Sequence, residues 1–442
     1  MRRLPDPNTV LALAAVAVVA LEAAHRHWDS IAWLLLEAVV AGVALLAGWF
    51  ERDRLRLVPV LAIVVALQAA LLAVHLSLDV VADKDSSVVF RWQGNGLNRG
   101  DYPRSEYPVG AVLLFGLEAL LGGGTTRVPN ALLMAGFQAA AVAAIWLTRL
   151  PLAPWLATVV GFWPLNAYHW QYKFDLAPAA LLAVGLLLAL RGRWGWSGLA
   201  LGAGALVKWT PGLAAVVLVA WLLGQRRVRD ALTHGVAFAA TIAAVYLPFL
   251  AWSSSEVLAA YERQGDRVIT PESVWYLLLR PFDLARVRTH ISFSAGAPEW
   301  ANVLAGAVQV VLVLLVVLAA TRVRTIRAAV ALAALAPAAF LLTNRIFSPQ
   351  FVVVLFVAWA LAAALVLRSE REQLALGVAI CAAALANAFV YPFALPRYAV
   401  TWPLCSAVLF AVGVAVTLWL SRRAASARSV TETIAAPATA RT

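Results

Sequence analysis

Long apolar runs alternate with short polar breaks along almost the whole chain. Runs of about 15–22 residues recur near 8–24, 31–50, 57–78, 129–148, 152–167, 176–190, 232–252, 301–320, 326–343, 351–367, 374–392 and 399–420. A helix rises 1.5 Å per residue, so about 20 such residues cross a hydrocarbon core roughly 30 Å thick. Two shorter runs, 197–207 and 211–223, flank Lys208-Trp209-Thr210-Pro211 and read as a broken hairpin. The run 109–122 gives only about 21 Å of helix and is expected to dip into the membrane and return. The pattern predicts an all-α polytopic transmembrane bundle of about 11–14 membrane segments: twelve spans plus the hairpin. Two long polar stretches, 79–108 and 253–300, are expected to carry short interfacial helices.

Composition agrees with this pattern. Hydrophobic residues make up 63% of the 442 and charged residues 13%, which excludes a soluble enzyme, a disordered chain and a disulfide scaffold. The net charge of +12 would suggest nucleic acid in a soluble protein, but here the arginines are scattered through the breaks. Arg2 and Arg3, Arg52, Arg54 and Arg56, Arg149, Arg191 and Arg193, Arg226, Arg227 and Arg229, Arg322, Arg324 and Arg327, Arg368 and Arg371, and the tail from Arg422 fall on one side if 109–122 re-enters. By the positive-inside tendency that side is cytoplasmic, with both termini on it. The expected organisation is a single integral-membrane domain, 1–421, in a bacterial cytoplasmic membrane, followed by a disordered cytoplasmic tail, 422–442. Cys381 and Cys405 lie in apolar runs and read as core. Neither a Walker A motif nor a dinucleotide-binding glycine pattern occurs, which argues against ATP-driven transport by this chain.

The outer side then receives the acids. Asp79, Asp83, Asp85, Asp101 and Glu106 lie within one loop, among glycines and aromatics. Such a loop beside a bilayer suits a pocket for a polar substrate, and a carboxylate there can act as general base on a sugar hydroxyl. Of the 35 basic residues only Lys84, Lys173 and Lys208 are lysines, and all three fall on this side. Lys208 interrupts a nearly uncharged stretch, where a lysine at mid-membrane costs about 2.5–3.5 kcal/mol, so a polar cavity at the break is expected.

These residues resemble those of the GT-C glycosyltransferases. More narrowly, they resemble glycosyltransferase family 87, the polyprenol-phosphate-mannose-dependent mannosyltransferases and their actinobacterial relatives. The resemblance rests on Asp85, Val89-Phe90, Gly100, Tyr102-Pro103 and Glu106-Tyr107-Pro108, followed in order by four shorter motifs. These are Gln171 to Asp175, Lys208 to Pro211, Arg267 with Glu272-Ser273, and Phe347-Ser348-Pro349-Gln350-Phe351. It implies inverting transfer of a hexose, mannose in particular, from a polyprenyl-phosphate donor to a glycolipid or lipoglycan acceptor on the outer face. It selects Asp85 as the base, with Asp79 and Asp83 as the alternatives. Lys208, Arg267, Lys173 and Arg345 are the expected contacts to donor phosphate and sugar. Asp175, Glu272, Glu106, Tyr107, Gln350 and His169 are the expected acceptor or positioning residues.

A lipid phosphate is a built-in leaving group, so cations on it and one base suffice. No cofactor or metal ligand is expected, and a divalent cation remains compatible with the reading. The expected partners are the lipid-linked donor, the acceptor and the bilayer, with no nucleic acid. A polyprenyl-phosphate arabinose donor remains open, as do the linkage and the oligomeric state. A transporter or flippase of lipid-linked sugars is the competing function, but the chain shows no internal repeat and gathers its acids at one face. His75, His234 and His290 are scattered and carry no site pattern, Glu37 reads as a protonated or hydrogen-bonded helix contact, and Trp209 reads as a belt anchor that could also stack on a sugar.

Overall fold

The computed structural model describes residues 5–24, 31–78, 85–148, 150, 153–163, 172–287, 295–390 and 401–426. In chain order the helices are α1 (Pro7–Ala24), α2 (Ile31–Phe50), α3 (Leu57–Ser77), α4 (Phe90–Asn98), α5 (Val109–Leu121) and α6 (Arg127–Trp146). They continue with α7 (Ala153–Phe162), α8 (Leu176–Leu190), α9 (Trp194–Val207), α10 (Thr210–Gly224), α11 (Val228–Asp266) and α12 (Val274–Leu279). The last are α13 (Glu299–Arg322), α14 (Ile326–Thr343), α15 (Val352–Val366), α16 (Glu370–Val390) and α17 (Thr401–Ser426). A two-residue ladder, Arg286–Val287 against Ala295–Gly296, is the sole strand pairing among the described residues. Ten of the described helices are long and apolar enough to cross a membrane, and the chain is a multi-pass helical bundle. Five shorter apolar helices, α5 and α7 to α10, complete it.

The bundle is organised around α15. It is apolar on every side, and every residue from Val352 to Leu365 is buried, as such a helix must be. It packs against α14, α8, α7, α16 and α17. The peripheral helices α11 and α13 expose Val236, Leu247, Val303 and Val310 instead, the apolar surface a bilayer covers. Close crossings use glycine. A side chain at Gly198 would meet the carbonyl of His234 and one at Gly202 the side chain of Thr241, so α9 lies directly on α11. Likewise Gly110 faces the backbone of Leu206, which brings the start of α5 against the end of α9.

Two boundaries differ from expectation. The stretch from 253 was expected to leave the helix as an outer loop, but α11 bends at Ser253 (φ −150°, ψ 64°) and continues to Asp266. Pro248 lies just before the bend, and Ser253 Oγ donates to Glu256 Oε2 at 2.6 Å. Ser253-Ser-Ser-Glu256 is a capping-box sequence that starts the second segment. At the other end, the tail was expected from 422, but α17 runs to Ser426 and Arg423 pairs with Glu372. Arg52 pairs with Glu370 on the same side. These are exposed pairs, each worth about 0–1 kcal/mol.

Candidate functional site

The site forms where five chain breaks meet at one end of the bundle. Asp85 opens a short turn that runs directly into α4, and Thr126 Oγ1 donates to the Ser86 carbonyl to hold that turn against α6. Lys173 and Phe174 precede α8. Lys208 is fully extended (φ −158°, ψ 136°) between α9 and α10, and Pro211 stands in the first turn of the second helix, where its missing N–H costs no hydrogen bond. Arg267 ends α11, and Ser348 to Phe351 lead into α15.

These segments enclose a cavity of about 880 Å³. Asp85, Glu106, Tyr107, Lys173, Lys208, Arg267, Glu272, Arg345 and Gln350 line it. A separate wall is apolar, built by Gly306 and Val310 of α13 with Phe340 and Leu341 of α14. Nine of the expected site residues therefore share one cavity. Asp175 lies just behind it, 2% exposed. His169, together with Asp79, Asp83 and Lys84, lies outside the described residues.

Charges inside the cavity are matched in pairs. The Lys173 ammonium donates to Asp85, and the Lys208 ammonium donates to Asp175. Arg267 lies 3.7 Å from Glu106. Asp175 could have capped α8, but its side chain makes no cap bond, and its second oxygen is buried without a hydrogen-bond partner among the described residues. Lys208 also sits 3.7 Å from the Phe351 ring centroid and 5.6 Å from that of Phe174, a cation–π arrangement. Burial pushes this ammonium below the usual lysine range. Asp175 opposes that shift, while the charges of Lys173 and Arg267 add to it.

Tyr107 and Glu272 complete the chemistry. The Tyr107 ring stands edge-on to Phe90, Phe115 and Phe174, with centroids 5.2–6.1 Å away. Burial, then the negative charges of Asp85, Glu106 and Asp175, raise its phenol well above the ordinary value, so it stays a neutral hydrogen-bonding group. Phe90 stacks on Phe115 at 4.1 Å and is fully buried, a packing role that needs no hydroxyl. Burial pushes the Glu272 carboxyl up to about 7, against the opposing pull of Arg267 and Thr270.

Arg345 lines the cavity and also braces a neighbouring helix. Its guanidinium donates to the carbonyls of Gly265 (2.6 Å) and Gln264 (3.5 Å), capping the end of α11. Among the described residues no three His, Cys, Asp or Glu side chains gather to hold a metal ion.

Several residues that hold the site carry no sequence signal of their own. Thr270 N donates to the Arg345 carbonyl at 2.9 Å and Thr270 Oγ1 donates to the Phe347 carbonyl at 3.0 Å, fastening the Arg267–Glu272 segment to the approach of α15. Gln264 Nε2 donates to the Glu106 carbonyl at 3.0 Å, tying α11 to the first loop. His75, one of the scattered histidines, has Nδ1 3.1 Å from the Tyr172 hydroxyl, to which Arg127 donates at 3.2 Å. That cluster fixes the residue next to Lys173. An i,i+3 or i,i+4 pattern could not reveal it, because its members lie 45 and 97 positions apart.

The arrangement is chemically specific. A carboxylate held by an ammonium, two further cations, a neutral phenol and an apolar wall suit a ligand with an anionic group, hydroxyls and a lipid chain. The comparisons point the same way. No curated protein matches the chain significantly. The sequence profile described as glycosyltransferase family 87 matches residues 106–349, from the Glu106-Tyr107-Pro108 edge of the cavity to Pro349 at its far side. Asp85 lies ahead of the matched segment, and Lys173, Lys208, Arg267 and Glu272 lie within it. The match covers more than half of the residues and contains most of the cavity, so the chain belongs to glycosyltransferase family 87 and is a membrane glycosyltransferase.

Proposed function

We propose that the protein transfers a hexose, mannose in particular, from a polyprenyl phosphate to a hydroxyl of a glycolipid or lipoglycan on the outer face of a bacterial cytoplasmic membrane. The observation that carries this reading is the cavity itself, in which Asp85, the cations and an apolar wall meet at one end of the bundle. The opposite end carries the exposed arginines that, by the positive-inside tendency, belong to the cytoplasm.

In this reading Asp85 takes the proton of the acceptor hydroxyl. The acceptor oxygen attacks the anomeric carbon as the bond to the phosphate oxygen breaks, and the configuration inverts. The bonding electrons leave with the lipid phosphate, whose charge grows by one. Lys208, Lys173 and Arg267 stabilise that growing charge. Protonation of the leaving group is not required. Lys173 supports this chemistry in a second way, because its charge keeps Asp85 oriented toward the cavity. The wall of Gly306, Val310, Phe340 and Leu341 gives the prenyl chain an apolar route to the bilayer.

The test is transfer of labelled mannose from polyprenyl-phosphate mannose into membrane lipid, comparing wild type with Asp85→Asn. A positioned general base contributes about 10²–10⁴-fold, and a loss of that size is expected. A folded Asp85→Asn protein with unchanged transfer overturns the base assignment. Wild-type protein that uses a different lipid-linked sugar overturns the choice of mannose.

A further inference from the structure

Within that proposed transfer, we infer that Trp209 and Thr210 form the floor of the subsite that holds the acceptor sugar ring, next to the lipid-phosphate position at Lys208. The two adjacent residues Lys208 and Trp209 serve different surroundings. Lys208 is extended and reaches Asp175, Phe174 and Phe351. Trp209 instead meets α11, where Tyr261 stands edge-on to its indole at 5.0 Å and 80°. Tyr261 in turn donates its hydroxyl to Tyr246.

The indole is thus fixed from one side, yet it is 52% exposed and lines the cavity. A fixed aromatic face in a polar cavity is the surface on which the C–H face of a pyranose stacks. Polar groups complete the subsite. Thr210 lines the same cavity, is 2% exposed, and its hydroxyl has no partner among the described residues. A buried hydroxyl left in that state costs free energy that a ligand hydroxyl recovers. Glu106 and Gln264 line the same cavity and add a carboxylate and an amide for further hydroxyls. The apolar wall on α13 and α14 suits a lipid chain and carries no aromatic from the tyrosine cluster. A sugar at Trp209 and a phosphate at Lys208 would therefore occupy neighbouring positions and leave the reacting hydroxyl near Asp85.

The experiment uses the full chain in lipid nanodiscs. A short-chain polyprenyl-phosphate mannose serves as donor, and octyl glycosides with one, two or three mannose units serve as acceptor probes. Trp209→Ala is expected to raise the acceptor KM about tenfold and to change the donor KM less than twofold. Trp209→Phe keeps an aromatic face and the contact with Tyr261, and is expected to fall between it and wild type. Thr210→Val is expected to raise the acceptor KM severalfold. If the donor KM rises instead, or if neither KM moves in the folded Phe and Ala variants, the subsite is overturned and Trp209 is an interfacial anchor. If wild-type protein transfers to none of these probes and to no membrane lipid, the transfer reading fails, and the subsite with it. Wild-type transfer with an unaltered Trp209→Ala removes the subsite alone.

Discussion

Breaking the Lys208–Asp175 pair from either side is expected to destabilise the protein, and removing both partners is expected to restore it. Asp175 is 2% exposed, and its second oxygen has no hydrogen-bond partner among the described residues. Lys208→Met leaves that carboxylate buried without its counter-charge. Asp175→Asn leaves the Lys208 ammonium, itself 18% exposed, near the like charges of Lys173 and Arg267. Removing one partner of a buried pair typically costs about 3–5 kcal/mol. Both side chains are well below one-third exposed, so that range applies here with little solvent screening. The double variant carries a neutral amide and a thioether in the same volume and is expected to recover most of the loss, a coupling of about 3 kcal/mol on a double-mutant cycle. Thermal or denaturant unfolding in detergent, followed by intrinsic tryptophan fluorescence, measures it. Transfer activity provides the second arm. If Lys208 faces the lipid phosphate, the double variant is stable and yet poor in transfer. A double variant no more stable than the weaker single variant refutes the pairing argument. A double variant with wild-type transfer refutes the phosphate role of Lys208.

Three further outcomes follow from the same geometry. Glu272 binds its proton more tightly in the fold than in the unfolded chain, so its contribution to stability is lost as pH rises from about 4.5 to about 7. Glu272→Gln is therefore expected to match wild type at pH 5 and exceed it at pH 8 by a few kcal/mol (on the order of 1.4 per pKa unit), and an equal difference at both pH values in unfolding midpoints would contradict this. A Cβ at Gly306 would meet no protein atom within 4 Å, so Gly306→Leu is expected to leave the fold intact and obstruct the apolar arm of the cavity. Its KM is expected to rise for long polyprenyl donors and to stay unchanged for short ones, and equal effects at both lengths would remove the prenyl route. Arg345→Lys keeps the charge but cannot span both α11 carbonyls, and a stability loss of about 1–2 kcal/mol with a near-normal donor KM is expected from unfolding and kinetics. A raised donor KM without loss of stability would return Arg345 to the donor site.

The cavity drew on residues of two kinds. Charged residues in apolar surroundings were legible, because burying a charge is costly and the sequence must supply a reason for it. Lys208 between two apolar runs and Asp175 at the head of another had that character, and they meet. Residues that hold the site by ordinary hydrogen bonds were not legible. Thr270, in a loop, and Gln264, near the end of α11, are common polar residues, and what singles them out is the carbonyl each one reaches across the fold. The second half of α11 lay between. Its Ser253-Ser-Ser-Glu256 start is a local signal, but it was masked by the polar composition that follows.

By itself the sequence determined the membrane class, nearly all the helix positions and the set of charges gathered at one end. Each of these follows from local periodicity and from the cost of charge in hydrocarbon, which any stretch of the chain carries independently of the rest. Tertiary structure alone decided the pairing. Asp85 meets Lys173 and Asp175 meets Lys208 across 88 and 33 positions of chain, Arg345 turns to cap α11, and Trp209 faces the cavity rather than only the bilayer. Glycine-mediated crossings such as Gly110 against Leu206 and Gly198 against His234 set those distances, and the fit of one helix surface on another is a property that no single segment contains.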